Sequence, residues 1–334
     1  MDVSTPQPSA ETAGVLYPPK FSRPRAEPSQ VWLRSITSLA LYLIIGFYVF
    51  KSLEWLLLIT TIVVIHELGH FLAMKYFRYN DTGIFFIPLL GAYVSGTKRE
   101  VSQRESAVIL LAGPLPGMVI GIICYLIYQQ HPGLAIAFMS FEKIGLAFLF
   151  LNLINLLPIY PLDGGQLLNR VYLGEENWIS KTFQWLSIAA LIWIALFVFT
   201  PPLSYLLLFF PLMMLLRQFG DRKISTLEKQ IEAAGIDLNY SYTELPDETY
   251  WKVRNIIITH HPSFKDVPLV PPFSYHAKEE KIMSLIESLL DRHLIQDMNV
   301  AGRFALLVIW LGALSCPWWL DIGTAYLRYY GISI

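Results

Sequence analysis

The chain has 334 residues, 54% of them hydrophobic and only 15% charged, with a formal net charge of −1 and a positive mean hydropathy. This composition belongs to a polytopic membrane protein, and the nearly balanced charge gives no footing for nucleic-acid binding. Cys124 and Cys316 both lie in apolar runs, which suggests neither a disulfide framework nor a thiolate metal site and favours a packing role.

Residues 1–30 are polar and rich in proline (Pro6, Pro8, Pro18, Pro19, Pro24, Pro28), with no apolar core long enough for a cleaved signal peptide, so they are expected to form a disordered tail. A first membrane span is expected over residues 31–50 and a second over 55–76. The loop that follows contains Ile84-Phe-Phe-Ile-Pro-Leu-Leu-Gly-Ala-Tyr-Val-Ser-Gly96, apolar, β-prone and free of charge. A third span, 107–128, carries Ala112-Gly-Pro-Leu-Pro-Gly117; prolines there require neighbours that satisfy the freed carbonyls. Residues 131–143 are placed at the interface, and a fourth span over 144–162 presents Asn152 and Asn155 and closes with Leu157-Pro-Ile-Tyr-Pro-Leu-Asp163-Gly-Gly165. A helical hairpin, 183–200 and 203–216, breaks at Pro201 and Pro202. Residues 217–303 turn soluble in composition, with helical patterning over 223–234 and 278–294 around a proline-rich loop, 262–272. A last span, 304–320, precedes a short extracytoplasmic tail to residue 334.

These assignments amount to an all-α polytopic protein of about seven transmembrane helices with a mostly helical cytoplasmic segment, 217–303. If the N-terminus is cytoplasmic, all of the 25 basic residues except Lys51, Lys143 and Arg328 fall on the cytoplasmic side, which is the asymmetry that membrane insertion favours. The same orientation puts the C-terminal end of the second span and Asp163 towards the cytoplasm in a multi-pass protein, expected in the cell membrane.

The second span holds His66-Glu67-Leu-Gly-His70, an HExxH motif. On a helix, His66 and His70 leave one face and can reach a single tetrahedral zinc, while Glu67 projects from a neighbouring strip and can act as a base without binding the metal. The competing reading is a satisfied polar cluster between packed helices. Each ionisable group at mid-bilayer costs on the order of 3 kcal/mol, so this grouping asks for a compensating partner such as zinc. Gly69, lacking a side chain, would let another backbone approach the motif. A catalytic zinc usually takes three protein ligands. His131 is expected at the opposite membrane face, and His260, His261, His276 and His293 in the soluble segment. Asp163 lies at a span end at similar depth, with Gly164 and Gly165 allowing a sharp turn that points its carboxylate inward.

Together, His66-Glu-Leu-Gly-His70, Ala112-Gly-Pro114 and Asn155-Leu-Leu-Pro158 leading to Leu162-Asp-Gly-Gly165 resemble the site-2 proteases, the intramembrane zinc metalloproteases. The likeness covers about residues 55–166. It implies a three-span catalytic core, one catalytic zinc held by His66, His70 and Asp163, and cleavage of single-span membrane proteins within or beside the bilayer, as in regulated intramembrane proteolysis. It also implies that the 84–96 loop is a membrane-dipping β-hairpin that offers an edge to an extended substrate, with Gly91 in contact with it. Gly117 departs from the family, standing where many relatives carry asparagine. No PDZ-like insertion is visible, and 217–303 does not resemble the nucleotide-binding regulatory domains of some relatives, so that segment is free to bind a regulator of another kind.

The expected mechanism is zinc-assisted peptide hydrolysis with Glu67 as general base, then acid. Asn155 could hydrogen-bond the substrate backbone or the developing oxyanion, or else tie helices together. A silent scaffold would be expected to lose Glu67 or a ligand, a di-iron oxygenase would need more histidines, and a metal transporter has no need of Glu67. A second metal at His260 and His261 is disfavoured because adjacent helical residues diverge by about 100°.

Overall fold

A computed structural model of the chain describes residues 17–22, 28–88, 91–98, 101–136, 139–174, 177–198, 203–238, 240, 242–270, 273–290, 294–319 and 321–322. Residues 1–16 of the expected tail, the Pro201–Pro202 break, His293 and the C-terminal tail from residue 323 lie outside the described residues. The chain forms two compact units, Arg25–Gln218 with Arg292–Ile334, and Met1–Pro24 with Phe219–Asp291.

The first unit is mostly helical: α1 (Pro28–Phe50), α2 (Leu53–Tyr76), α3 (Gln103–Ala112), α4 (Pro114–Gln130), α5 (Phe141–Leu156), the short α6 (Asp163–Leu167), α7 (Trp178–Phe197), the start of α8 (Leu203–Ala233) and, at its end, α11 (Val300–Trp319). Among the described residues, five stretches are long and apolar enough to cross a membrane: Val31–Val49, Leu53–Tyr76, Gln103–Gln130, Trp178–Phe197 and Val300–Trp319. Large apolar side chains such as Leu33, Phe47, Leu72 and Val308 stand exposed along these helices, as lipid-facing surfaces do and soluble proteins avoid.

Three of the expected spans are built differently. The third is two helices end to end, because Pro114 has no N–H to continue the ladder and serves instead as the first residue of α4. The fourth does not run over 144–162: its helix starts at Phe141, where Ser140 caps Lys143 N, and stops at Leu156 before Pro158, at 16 residues. The arm expected over 203–216 does not end there either. It continues as one 31-residue helix into the second unit, with Leu207–Gln218 its apolar part.

Strands β1 (Asn80–Ile87) and β2 (Gly91–Thr97) form an antiparallel hairpin, pairing Ile84 with Val94 and Ile87 with Gly91. Phe86 anchors it among Tyr42 of α1 and Leu56 of α2, and the outward Phe86 N–H donates to Ser38 Oγ of α1. The edge of β1 is thus occupied, while β2 has no second strand beside it among the described residues. The short β3 (Val101–Ser102) pairs in parallel with β6 (Leu294–Ile295), and β4 (Ala135–Ile136) pairs with β5 (Met139–Ser140). The β3–β6 pairing, with the Ser102 hydroxyl on Asp297, draws residues 294–299 to the membrane unit, although composition groups them with the soluble segment.

The core behind the HExxH helix is formed by Leu110, Leu111, Met118, Leu149, Leu156, Leu167 and Trp310. Trp310 Nε1–H donates to Leu156 O at 2.9 Å, satisfying a carbonyl at the end of α5 that has no intrahelical partner.

The second unit contains the end of α8, then α9 (Asp247–His260) and α10 (Glu279–Leu289) around Ile231, Tyr250, Trp251, Ile257, Ile282 and Ile286. At its centre Arg254 and Glu279 are buried together, joined Nε to Oε1 at 2.6 Å and Nη2 to Oε2 at 3.0 Å, with Tyr250 OH donating to the same carboxylate at 2.6 Å. The expectation of a disordered tail over 1–30 fails for residues 17–22: Tyr17 and Phe21 pack against this core.

Candidate metal centre

The metal-binding candidate arises where α2, the α3–α4 break, α5 and α6 converge. His66, Glu67 and His70 are all buried, at 7, 7 and 8% exposure. The fit of α2 against α3 depends on Gly69, where a Cβ would fall 1.9 Å from Ala112 O; this is the close backbone approach that the motif's glycine leads one to expect. Gly113 plays the same part for the ligand itself, since a Cβ there would lie 2.3 Å from His70 Nε2.

Asp163 reaches the pair from the first turn of α6. Gly164 and Gly165 press against the preceding turn, where a Cβ on Gly164 would meet Leu156 O at 2.0 Å, and that packing aims the Asp163 carboxylate at the histidines. Its Oδ2 lies 3.1 Å from His66 Nε2 and 3.4 Å from His70 Nε2, and the two Nε2 atoms are 3.1 Å apart.

Protonation follows from the outer partners. Asn152 Nδ2 donates to Phe148 O at 2.7 Å, because a carbonyl can only accept. Asn152 Oδ1 therefore faces His66 Nδ1, 2.9 Å away, and must accept a proton from it. His70 Nδ1 likewise donates to Ile109 O at 2.7 Å, one turn before the helix break. In the neutral imidazoles, both Nε2 atoms then present lone pairs to each other and to Asp163 Oδ2, which is buried without a hydrogen bond. Three mutually facing acceptors can be satisfied by a cation between them, whether a proton or a metal ion. Tetrahedral donors at zinc distances of about 2.0–2.1 Å lie about 3.3 Å apart, so the spacings and the nitrogen–nitrogen–oxygen donor set fit that metal. Among the described residues this is the one group of histidine, cysteine or carboxylate side chains clustered closely enough to hold an ion.

The other expected site residues fall elsewhere. Asn155 Nδ2 donates to Leu151 O within its own helix, and Gly91 sits at the hairpin turn with φ +108° and open space around it. His260 bonds Ile256 O, His261 caps Ser263 N and His276 accepts from Lys278 N, so these histidines do not converge. Sequence reasoning weighted Asn155 over Asn152, yet Asn152 is the one fully buried and bonded to a histidine. The missing asparagine at position 117 was the available signal. A Cβ on Gly117 would lie 2.2 Å from Asn152 Nδ2, so the space left by that departure is filled by Asn152 from the facing helix.

Residues 54–146 match the family model for peptidase family M50. The chain is similar to the stage IV sporulation protein FB of Bacillus subtilis, 32% identical over 113 residues, covering 34% of this chain and 38% of the relative. It is also similar to a zinc metalloprotease of Methanocaldococcus jannaschii, 27% identical over 148 residues and 43% of each chain. The chain thus spans well under half the length of these curated relatives. Among solved structures, the site-2 protease from Methanocaldococcus jannaschii aligns with 54% of this chain and 86% of its own at 21% identity and a TM-score of 0.41. The matched family stretch contains His66, Glu67 and His70 and ends before Asp163. Over residues 54–146 the chain is therefore similar to peptidase family M50.

Proposed function

We propose that the chain is an intramembrane zinc metalloprotease that hydrolyses peptide bonds of single-span membrane proteins within or beside the bilayer. The observation that carries this reading is the meeting of His66 Nε2, His70 Nε2 and Asp163 Oδ2 as three acceptors around one point, beside the buried carboxylate of Glu67. A shared proton can bridge two of these atoms; a metal satisfies all three. Zinc held there supplies a Lewis acid for the scissile carbonyl and acidifies water.

The chain's own residues supply the rest. Glu67 takes a proton from the attacking water as the C–O bond forms, then delivers it to the amide nitrogen as the C–N bond breaks. Asn152 and the Ile109 carbonyl hold the two imidazoles in the tautomers that leave Nε2 free. Substrate enters extended, along the unpaired side of β2, where strand addition satisfies its amides without water; Gly91 and Asn155 are the proposed contacts along that route.

The same reading orients the protein. Seven spans, with α5 and Leu207–Gln218 as the short crossings, place the N-terminus and the metal centre towards the cytoplasm and keep nearly all basic residues there. The test is zinc stoichiometry of the purified chain alongside cleavage of a single-span reporter. About one zinc per chain is expected, with Glu67→Gln retaining zinc and losing cleavage, and Asp163→Asn losing zinc. A wild-type chain that folds without zinc and does not cut would overturn the assignment.

A further inference from the structure

The second unit holds a feature the protease reading does not use. Tyr17-Pro18-Pro19-Lys20-Phe21 lies in a groove walled by Tyr242, Trp251, Phe273 and Tyr275, more than two hundred residues away in the chain. The contacts are of a particular kind. Trp251 Nε1–H donates to Pro18 O at 2.8 Å, Tyr275 OH to Pro19 O, and Tyr242 OH to Phe21 O at 2.5 Å. The groove reads the main-chain carbonyls of residues 18, 19 and 21 with aromatic donors.

A proline pair suits that readout. Tyr17 and Pro18 each precede a proline, which holds them in the extended or polyproline region, and a chain so held bonds none of its own carbonyls. Side chains add selectivity. Lys20 Nζ is caught by Thr243 O at 2.9 Å and Leu245 O at 2.6 Å, over the Tyr242 ring, while Lys20 N–H donates to Asp247 Oδ1 at 2.8 Å. Tyr17 meets Phe273 edge-on and Phe21 meets Tyr275 edge-on. Trp251 and Tyr275 stack on one another with centroids 5.7 Å apart, and Trp251 rests on the guanidinium of the buried Arg254, so the floor of the groove is braced from beneath by the unit's own core.

We infer that this groove is a recognition site for a proline-rich peptide of the type aromatic-Pro-Pro-Lys-aromatic, with residues 17–21 as its resident ligand and a matching segment of a partner protein as the competitor that displaces them. Aromatic-lined grooves that donate to prolyl carbonyls are a recurrent means of reading such segments. Everything the groove reads, three carbonyls, one amide, one ammonium and two aromatic edges, is a property of a five-residue peptide and needs nothing from the rest of the tail. The tether gives the resident copy an advantage of concentration, so a free peptide engages only when it is abundant or the resident copy is weakened.

The test uses the full chain in detergent and a fluorescent peptide with the sequence of residues 15–23. Vacating the groove with Tyr17→Ala, Lys20→Ala and Phe21→Ala together should tighten binding of the added peptide at least about tenfold over wild type. Tyr275→Phe in that background keeps the ring, removes one donor, and should weaken binding about fivefold. A peptide with alanine in place of the lysine should not bind. No binding to the vacated chain, or equal binding of the alanine peptide, overturns the inference. Hydrogen exchange on the wild-type chain gives a second readout that needs no variant. Millimolar peptide should strip protection from the Lys20 amide, and protection that does not change under saturating peptide overturns it too.

Discussion

Asn152 Oδ1 accepts from His66 Nδ1 at 2.9 Å, and the amide is held in that orientation by its own bond to Phe148 O. The contact fixes which nitrogen of His66 is bare, and so prepares the ligand. Replacing Asn152 with leucine, similar in size and without an acceptor, is expected to lower zinc affinity about 10–100-fold, the usual effect of losing an outer partner of a metal-binding histidine. Asn152→Asp keeps an acceptor and should retain most of the affinity. Competition with a chelating dye measures both variants, and an Asn152→Leu chain that binds zinc as tightly as wild type would remove Asn152 from this role.

Gly113→Ala isolates the site from the fold. The backbone at Gly113 is in the right-handed helical region (φ −71°), so alanine is conformationally acceptable there and no worse for a helix. Its Cβ would nonetheless lie 2.3 Å from His70 Nε2 and 2.4 Å from its Cε1, so the imidazole would have to leave the position in which it faces His66 and Asp163. The expected outcome is loss of zinc and of reporter cleavage with helix content by circular dichroism unchanged. Retained zinc would mean that His70 can shift without losing its bond to Ile109 O.

How much of this was legible in the sequence follows from the range of each interaction. The HExxH histidines sit four residues apart on one helix, so local geometry sufficed to pair His66 with His70. Asp163 could be nominated because few acidic residues lie at that depth. Asn152 could not be told from Asn155, since which of two residues three apart faces α2 is set by the rotation of α5, and that rotation depends on the room beside Gly117. Helix α9 went unassigned although its apolar residues recur at 250, 253, 257 and 258 behind Pro246 and an acidic first turn; the charged Arg254, buried on the same face, interrupted the stripe. Residues 17–21 read as disordered because their composition is that of a free chain, and the groove that orders them comes from residues 242–275.

Chelation should expose how far the metal supports the fold. Without a cation, three facing acceptors in a buried site repel, and a ligand that binds only the folded state stabilises it by about 2.7 kcal/mol at a hundredfold excess over its dissociation constant. Stripping zinc from the wild-type chain should therefore lower its melting temperature, while the Gly113→Ala chain, expected to hold no zinc, should be insensitive to the chelator. A wild-type melt that does not respond would indicate that a proton shared among the three groups serves as well as a metal.

The Arg254–Glu279 pair makes the stability of the second unit dependent on pH. Burial raises the Glu279 pKa, but hydrogen bonds from Arg254 and Tyr250 outweigh it and hold the carboxyl below its usual range. A group whose pKa is lowered on folding stabilises the folded state above its unfolded pKa, about 4.3 for glutamate, and loses that contribution as pH falls through the folded value. The pair should be fully stabilising at neutral pH and fade below about pH 4. Glu279→Ala leaves Arg254 charged at 0% exposure without its carboxylate, with only the Pro268 carbonyl still accepting from it, which should cost about 3–5 kcal/mol. Glu279→Gln keeps an acceptor and removes the titration, so its stability should fall less steeply in acid than that of wild type. Thermal melts followed by hydrogen exchange at residues 247–260 between pH 3 and pH 7 read both effects from one unit of the chain. Parallel acid slopes for wild type and Glu279→Gln would show that another carboxylate governs its acid response.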